Sequence, residues 1–281
     1  MINHFDKTRR HILQGLGLIA LASGLPNTVS AQESASTAVL SDELLETFLR
    51  MRTHPEGNPV LWAYSGVLVV KPEGEVARNL AKIQGLSRTQ AVRQSDGRWL
   101  WTLDEAGYFC DLDSGAVAES LYNPFIQETV RPKHYRSSQR LFFSARSIES
   151  GVQLPLGVEF RGEITELAKL AGTVAMTEDL YVKMPGVPAR GDQAARPARF
   201  AASLATFTTR ETQLAMPSST WVDCQFNYTT LNSFVGWLGM GALGGVQDMR
   251  LVGIKLRMDD QQAIPSELRR RLLDEHPDLL S

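Results

Sequence analysis

Side chains that could transfer protons are concentrated around one histidine. His134 lies among cationic residues, Tyr135 and Arg136 follow it directly, and Tyr122 precedes it across a predicted turn. Neighbouring cations lower the pKa of a histidine, so His134 would be neutral and able to act as a general base. Tyr122 or Tyr135 would serve as the acid, and Arg136 would hold a carboxylate or enolate oxygen. His134, Tyr122 and Arg136 are therefore the candidate catalytic residues. The competing interpretation is a solvated basic strand end with a surface histidine.

Aromatic residues supply candidate walls for a binding site. Tryptophans in a sheet usually belong to the core, and that interpretation stays open here. Those that face an interior would instead line an apolar pocket for a small aromatic or terpenoid-like molecule. We assign Trp99, Trp101, Asn123 and Trp237 as the candidate ligand-binding residues.

Strand carboxylates form a third group of candidates. Any that point inward would be buried acids in need of a partner, and ligand-binding barrels use such residues. Alternate positions of a strand face water, so most of these acids are expected to be solvated. The carboxylates in or beside predicted strands are Glu105, Asp111, Glu119, Glu159, Glu163 and Asp179.

Other site chemistries have little support in the sequence. No HxH or HExxH pair and no cysteine cluster is present, so we predict neither a metal nor a cofactor. No serine lies in a GxSxG nucleophile elbow. The glycine-rich stretch 236–245 lacks the Lys-Ser/Thr ending of a phosphate-binding loop and is better explained by close backbone packing.

The elements that position these residues are predicted to be β-strands. Trp99, Trp101 and Leu103 alternate with a second set of side chains, and the same period of two recurs at 117–122. This period is typical of a sheet with two different faces. Turn residues at Asp113-Ser114-Gly115 separate the two runs. We predict a β-meander over 98–131, around which the chain is organised.

The rest of the chain repeats this strand pattern. Residues 76–93 fit a helix or a bulged strand, and the glycine within them favours the strand. Helical spacing of apolar residues is confined to a segment after Ser41, which would plug or flank the sheet, and to residues 265–275. A polar loop at 186–198 is the candidate lid. Eight to ten short strands predict a mainly β fold, a single antiparallel β-barrel or strongly curved sheet that is lipocalin-like. Further strands are predicted at 60–71, 141–148, 158–164, 173–183, 200–209, 220–229 and 252–257.

The first residues have the composition of an export signal. The order Thr8-Arg9-Arg10-His11-Ile12-Leu13 opens a short apolar run, and Val29-Ser30-Ala31 is suited to cleavage. That run is too short for a membrane span, which needs about 20 residues. We predict a twin-arginine signal peptide at 1–31, a flexible lead at 32–40, a single barrel domain at 41–281 and a periplasmic location. The full chain has a net charge of −2, which gives no electrostatic basis for binding nucleic acid.

Two cysteines, Cys110 and Cys224, remain open to two interpretations. An oxidising compartment would let them pair, because each lies in a strand-like run. Two buried free thiols are the alternative, and the sequence does not supply the geometry that would decide.

Four short motifs follow one another along the chain. They are Gly107-Tyr108 with Asp113-Ser114-Gly115, Tyr122-Asn123-Pro124-Phe125, Thr177-Glu178-Asp179-Leu180, and Trp237-Leu238-Gly239-Met240-Gly241 leading to Gly253-Ile254-Lys255-Leu256. In order and spacing they resemble the uncharacterised bacterial and fungal family catalogued as domain of unknown function 1838. The resemblance implies a single domain and brings no established activity. The family usually continues after Asn-Pro with an aromatic residue and Thr-Gly, whereas Ile126-Gln127 follow Phe125 here.

These patterns predict an exported barrel that binds a small apolar or aromatic metabolite. Cofactor-free acid–base catalysis of an isomerase, lyase or hydrolase type is the accompanying hypothesis. The alternative is a non-catalytic periplasmic interaction module with a filled barrel. The inward-facing side chains distinguish the two, because aliphatic layers favour the module and a mixed polar and aromatic lumen favours the binder.

Overall fold

In the described part of the chain, ten strands close into one antiparallel barrel. The computed structural model describes residues 42–145, 147–186, 199–241 and 243–281. The helices are α1 (Asp42–Arg52), α2 (Glu211–Leu214) and α3 (Ser266–Glu275), and short 3₁₀ helices cover Gly236–Leu238, Gln261–Ala263 and Pro277–Leu279. The strands are β1 (Val60–Pro72), β2 (Arg78–Arg93), β3 (Trp99–Cys110), β4 (Leu121–Asn123), β5 (Glu128–Val130), β6 (Tyr135–Phe143), β7 (Ile148–Ser150), β8 (Glu159–Leu170), β9 (Thr173–Met184), β10 (Arg199–Arg210), β11 (Gln225–Asn232) and β12 (Gly245–Leu256).

The predicted β-barrel is confirmed. Its strand order is β1-β12-β11-β10-β9-β8-β7-β6-β3-β2, while β4 and β5 form a separate two-stranded sheet. The ambiguous stretch 76–93 contains strand β2, and the two predicted helical segments are α1 and α3. Closure pairs the edge strands that an open sheet would expose. The predicted signal peptide, the lead and all of the predicted lid except its first residue lie outside the described residues.

The meander predicted around the tryptophan pair does not form. β3 continues without interruption to Cys110, and beyond it Val117 contributes an isolated bridge to Cys110. The Asp111 carboxylate accepts hydrogen bonds from the N–H groups of Asp113 and Ser114, which turns the chain back. The turn prediction is therefore right, but the prediction of a following wall strand is wrong. The chain leaves the barrel there, and its next strands pair only with each other as the β4–β5 hairpin.

Inward-facing side chains form two apolar clusters, one at each end of the barrel. We call the end where β1 begins the upper end and the opposite end the lower end. The upper cluster includes Phe48, Trp62, Trp101, Phe143, Met176 and Phe207. The lower cluster includes Leu68, Ile83, Phe109, Val182, Leu238 and Met249. A third cluster lies outside the barrel wall, where α3 buries the outer faces of β1, β2 and β3.

Helix α1 plugs the upper end. Phe48 and Met51 are fully buried, and the Phe48 ring meets the rings of Phe143 and Phe207 edge-on at 5.8 and 5.5 Å. Edge-on contacts of this kind are favourable between aromatic rings. The apolar spacing of the sequence thus buries one face of the helix against the inward residues of the wall.

Lys255, the penultimate residue of β12, fixes the last turn of the plug. Its Nζ donates hydrogen bonds to the carbonyl groups of Arg50, Met51 and Thr53 at 2.9, 3.2 and 2.8 Å. The last carbonyl groups of a helix lack hydrogen-bond donors within the helix, and the helix dipole places a partial negative charge there. A buried ammonium group supplies the missing donors and offsets that charge. Burial lowers the pKa of Lys255 to about 8, which leaves it mostly charged at neutral pH.

The β4–β5 hairpin and the glycine-rich segment close the lower end. The Nδ2 group of Asn123, which is fully buried, donates to the carbonyl of Leu238 at 2.8 Å. The ring of Trp237 packs on Phe109, with centroids 4.9 Å apart. Gln127 adopts a positive φ of 56°, a conformation that favours glycine, in the turn between β4 and β5.

One junction in the wall is much weaker than the others. β7 joins β8 through a single residue pair, Ile148 with Gly162, whereas β8 and β9 pair along almost their whole length. We call this junction the β7–β8 seam. It is the place in the described wall where the fewest ladder hydrogen bonds resist opening.

The two cysteines are free and cannot pair in this fold. Cys110 ends β3 at the lower end, whereas Cys224 precedes β11 at the upper end. Both thiols are buried, and burial raises the pKa of each, that of Cys224 to about 12. Of the two interpretations left open by the sequence, buried free thiols is the one the structure supports.

Candidate functional site

A layer of polar side chains separates the upper and lower clusters and surrounds a cavity of about 90 Å³. We call this region the lumen. Apolar burial alone would have filled it with aliphatic residues, so each polar group in it needs an explanation. Its aromatic lining includes Trp62, Tyr64, Trp101, Phe207, Phe226 and Tyr228. Its polar lining consists of Arg52, Ser87, Thr89, Glu105, Gln139, Glu178 and Ser203.

Glycines within strands make room for the two central tyrosines. Tyr64 lies opposite Gly85, which pairs with Gly107, which in turn lies opposite Tyr135. A Cβ atom at Gly85 would overlap the ring of Tyr64, and one at Gly107 would overlap the ring of Tyr135. Strand glycines of this kind mark close approach. As a result, the two tyrosine hydroxyl groups meet at 2.9 Å.

Glu105 is a buried carboxyl group beside these tyrosines. It is 7% exposed, and its Oε2 accepts a hydrogen bond of 3.0 Å from the hydroxyl of Ser137, directly opposite it on β6. Burial raises the pKa of Glu105 above its ordinary value of 4.5, and hydrogen bonds from Tyr64 and Ser137 oppose that rise. Burial also raises the pKa of Tyr64 and of Tyr135. Tyr64, Tyr135, Ser137 and Glu105 thus form one hydrogen-bonded network within the lumen.

Arg52, the last residue of α1, extends from the plug into the lumen. Its guanidinium forms a buried ion pair with Glu178 and lies 4.0 Å from the ring centroid of Trp101. The rings of Phe143 and Phe207 complete the apolar surroundings. Burial lowers the pKa of Arg52 to about 9 and the nearby Tyr228 opposes that shift, so the guanidinium is charged at neutral pH.

Two hydrogen-bonding groups of the lumen have no partner among the described residues. They are the indole N–H of Trp101 and the hydroxyl of Thr89, whose side chains are 1% and 2% exposed. Thr89 pairs with Leu103 across β2 and β3, and Trp101 lies two residues before Leu103. A buried polar group left unsatisfied costs about 1–3 kcal/mol, so a fold keeps such groups only where something repays that cost.

The structure does not bring the predicted catalytic residues together in the lumen. His134 packs against Tyr108 and Phe109 beneath α3, where its Nδ1 accepts the N–H of Phe109 at 3.2 Å. Burial and then the charge of Arg271 lower its pKa. Tyr122 is 61% exposed on the β4–β5 hairpin.

Arg136, the third predicted catalytic residue, points outward from β6. It binds the Asp278 carboxylate at 2.6 Å and lies 3.7 Å from Asp104. Tyr135, the first residue of β6, takes the inward position, so the next residue, Arg136, points away from the lumen.

The predicted ligand-binding residues are divided among three places. Trp101 lines the lumen, and Trp99 is half-buried against the upper cluster. Trp237 and Asn123 belong to the lower closure, and the amide of Asn123 is occupied by backbone groups of Leu238 and Phe125. Of the four, only Trp101 contacts the cavity in the described structure.

Sequence reasoning missed several lumen residues. Glu105 is among the six strand carboxylates named as candidates from the sequence. Glu178 is not among them, because the sequence analysis named its neighbour Asp179, whose side chain faces outward from the barrel. Arg52 and Thr89 carried no sequence signal of their own. The glycines within β2 and β3 were the available signal, because strand glycines mark places where another group comes close.

No group of three or more histidine, cysteine, aspartate or glutamate side chains is placed to hold a metal ion in the described ranges. None of the helices within those ranges has the length and apolar character needed to cross a membrane.

Comparison with known proteins places the chain in a family. No curated protein matches it significantly. Two solved structures, the Pseudomonas aeruginosa MucA/MucB complex and MucB in complex with MucA(peri), align at 10% and 11% identity over 83% of this chain and 96% of theirs. Their TM-score of 0.12 supports no statement on fold or function. The sequence profile described as protein of unknown function (DUF1838) matches residues 57–280, and the chain belongs to that family.

Proposed function

We propose that this protein is an exported periplasmic barrel whose lumen binds a small molecule with an apolar body and a carbonyl or hydroxyl oxygen. The observation that carries the proposal is the pair of unpartnered donors, Trp101 and Thr89, on the wall of the cavity. An oxygen bound there would satisfy both groups at once. Aromatic rings on the facing strands would hold the apolar body.

The cavity limits the size of the molecule. A cavity of about 150 Å³ binds benzene, and the lumen offers about 90 Å³. The ligand is therefore a compact molecule, smaller than the terpenoid-like compounds that the tryptophan content suggested. The β7–β8 seam is the proposed route of access, because opening it breaks the fewest ladder hydrogen bonds.

The composition of the lumen favours a binder over a filled structural barrel. An interaction module would gain most from aliphatic layers, because each unsatisfied polar group lowers its stability. The lumen instead has polar residues between two apolar clusters, including a buried ion pair and the buried, hydrogen-bonded carboxyl group of Glu105. Such polar groups are the usual means by which a pocket orients a ligand.

Replacing Thr89 with valine tests the proposal through stability and binding together. Valine keeps the shape and removes the unpartnered hydroxyl, so the free energy of unfolding should rise by about 1 kcal/mol while affinity falls. Thr230→Val is the matched control, because the Thr230 hydroxyl accepts bonds from Met249 and Asn232 and its loss should destabilise the fold. Urea unfolding gives the stabilities, and native mass spectrometry with acetone and 2-propanol, which fit the size of the lumen, gives the binding. If no such probe binds the unmodified protein, the proposed function fails.

A further inference from the structure

We infer that Glu105 is a catalytic base that moves a proton between carbon atoms of an enolisable ketone held in the lumen. The inference rests on the proposed function, because the donors that bind the ketone oxygen are those that define the binding site. It adds the class of substrate, the reaction and the residue that performs it.

The arrangement of the wall places acid–base and binding groups side by side. Thr89 lies opposite Leu103, and Glu105 is the next inward residue of β3, about 7 Å further along the strand. We place the ketone oxygen at Thr89 and Trp101 and its neighbouring carbon atoms further along the same wall, beside Glu105. Both donors and the carboxyl group line one cavity.

Glu105 is the lumen carboxyl group that remains available for proton transfer. Glu178 is neutralised by Arg52, whereas none of the ion pairs in the described part of the chain includes Glu105. The hydroxyl of Ser137 orients one of its oxygens. Burial raises its pKa, which makes the carboxylate a stronger base than an exposed glutamate.

The reaction balances without any further reagent. The Glu105 carboxylate takes the proton from the carbon next to the carbonyl group, and the electron pair of that C–H bond forms a carbon–carbon double bond. The carbonyl π pair moves onto oxygen, where the donors of Trp101 and Thr89 stabilise the enolate charge. The protonated Glu105 exchanges its proton with solvent when the β7–β8 seam opens, and it delivers a proton to the same carbon or, in a β,γ-unsaturated ketone, to the γ carbon, which shifts the double bond.

Exchange of carbon-bound hydrogen for deuterium tests this step. In D₂O the unmodified protein should accelerate exchange at the α positions of acetone and butanone above the buffer rate, as measured by proton NMR. Glu105→Gln should lower the protein-dependent rate by a factor of about 100 or more, the usual contribution of a positioned base. Glu159→Gln, which alters an exposed glutamate paired with Lys183, is the matched control and should leave the rate unchanged.

Binding and pH measurements separate the inference from the proposed function. Native mass spectrometry should show that Glu105→Gln still binds acetone. The exchange rate of the unmodified protein should rise with pH through an apparent pKa above 4.5, the ordinary value for glutamate. Binding without accelerated exchange, or equal exchange by Glu105→Gln, overturns the inference and leaves the proposed function intact. If Glu105→Gln fails to fold, Glu105→Asp is measured instead. Because its carboxylate is one carbon shorter, this variant should accelerate exchange of the ketone's α hydrogens less than the unmodified protein does.

Discussion

Arg52 and Glu178 form the one ion pair of the described lumen, and each is almost fully buried. Taking both charges out of water is expensive, and their mutual attraction repays this only while both are present. The aromatic rings around Arg52 add a cation–π contribution. The ion pair therefore holds the plug helix to the barrel wall. Replacing either residue removes this attraction and leaves the other charge buried without a partner.

Glu178→Gln should lower the free energy of unfolding by about 3–5 kcal/mol, because it leaves the Arg52 charge buried without a partner. Urea unfolding of the variant measures the change. The exposed pair between Lys183 and Glu159 supplies the control, since breaking it with Glu159→Gln should cost no more than about 1 kcal/mol. Equal effects of the two substitutions would contradict the account of the buried pair.

The raised pKa of Glu105 predicts a pH-dependent loss of stability. Between its ordinary value of 4.5 and its raised value in the fold, the folded protein binds more protons at this site than the unfolded chain does. Stability from this group is therefore present at low pH and is lost as the pH rises through that window. The difference in unfolding free energy between the unmodified protein and Glu105→Gln should fall as the pH rises above 4.5. Parallel pH profiles for the two proteins would disprove a raised pKa.

At the scale of elements, α1 acts as a plug because β12 holds its last turn. Lys255→Met removes the ammonium that binds three carbonyl groups, and the methionine cannot replace those bonds. We expect a loss of about 2–4 kcal/mol and faster amide hydrogen exchange throughout α1. Lys183→Met, at an exposed position of β9, should change stability by no more than about 0.5 kcal/mol. Unchanged exchange in α1 would show that the plug does not depend on Lys255.

Elements were predictable from the sequence wherever periodicity decided them. Apolar spacing after Ser41 identified α1, and the glycine within 76–93 correctly favoured the strand that became β2. The segment after Cys110 was mispredicted because period two also fits a hairpin that lies off the barrel. Local pattern identifies a strand but does not say which strand will pair with it.

The lumen site depends on register, which local pattern does not contain. Whether Glu178 or Asp179 faces inward is decided by a shift of one residue, and the two alternatives place every side chain of β9 on opposite faces. Arg52 reaches the lumen only because α1 inserts into the end of the barrel, a tertiary contact with no sequence motif. Trp101 was predicted correctly because a tryptophan whose side chain faces the barrel interior is suited to form the wall of a pocket.

At the scale of the whole molecule, export is a prediction that rests on the first residues of the chain. Replacing both Arg9 and Arg10 with lysine should prevent recognition of a twin-arginine signal and retain the protein in the cytoplasm of a bacterial host. Cell fractionation followed by immunodetection measures the distribution. Lys7→Arg keeps the arginine pair and should still be exported. Periplasmic accumulation of the double variant would contradict the assignment of the signal.

The central claim is that the unpartnered indole N–H of Trp101 binds an oxygen of the ligand. The direct measurement is a proton–nitrogen NMR spectrum of the indole groups during titration with acetone, with the Trp101 signal identified by its absence from Trp101→Phe. The account predicts that this signal shifts while that of Trp221, whose N–H already donates to Asp223 at 2.8 Å, stays in place. A saturating titration that leaves the Trp101 signal unmoved would contradict the claim.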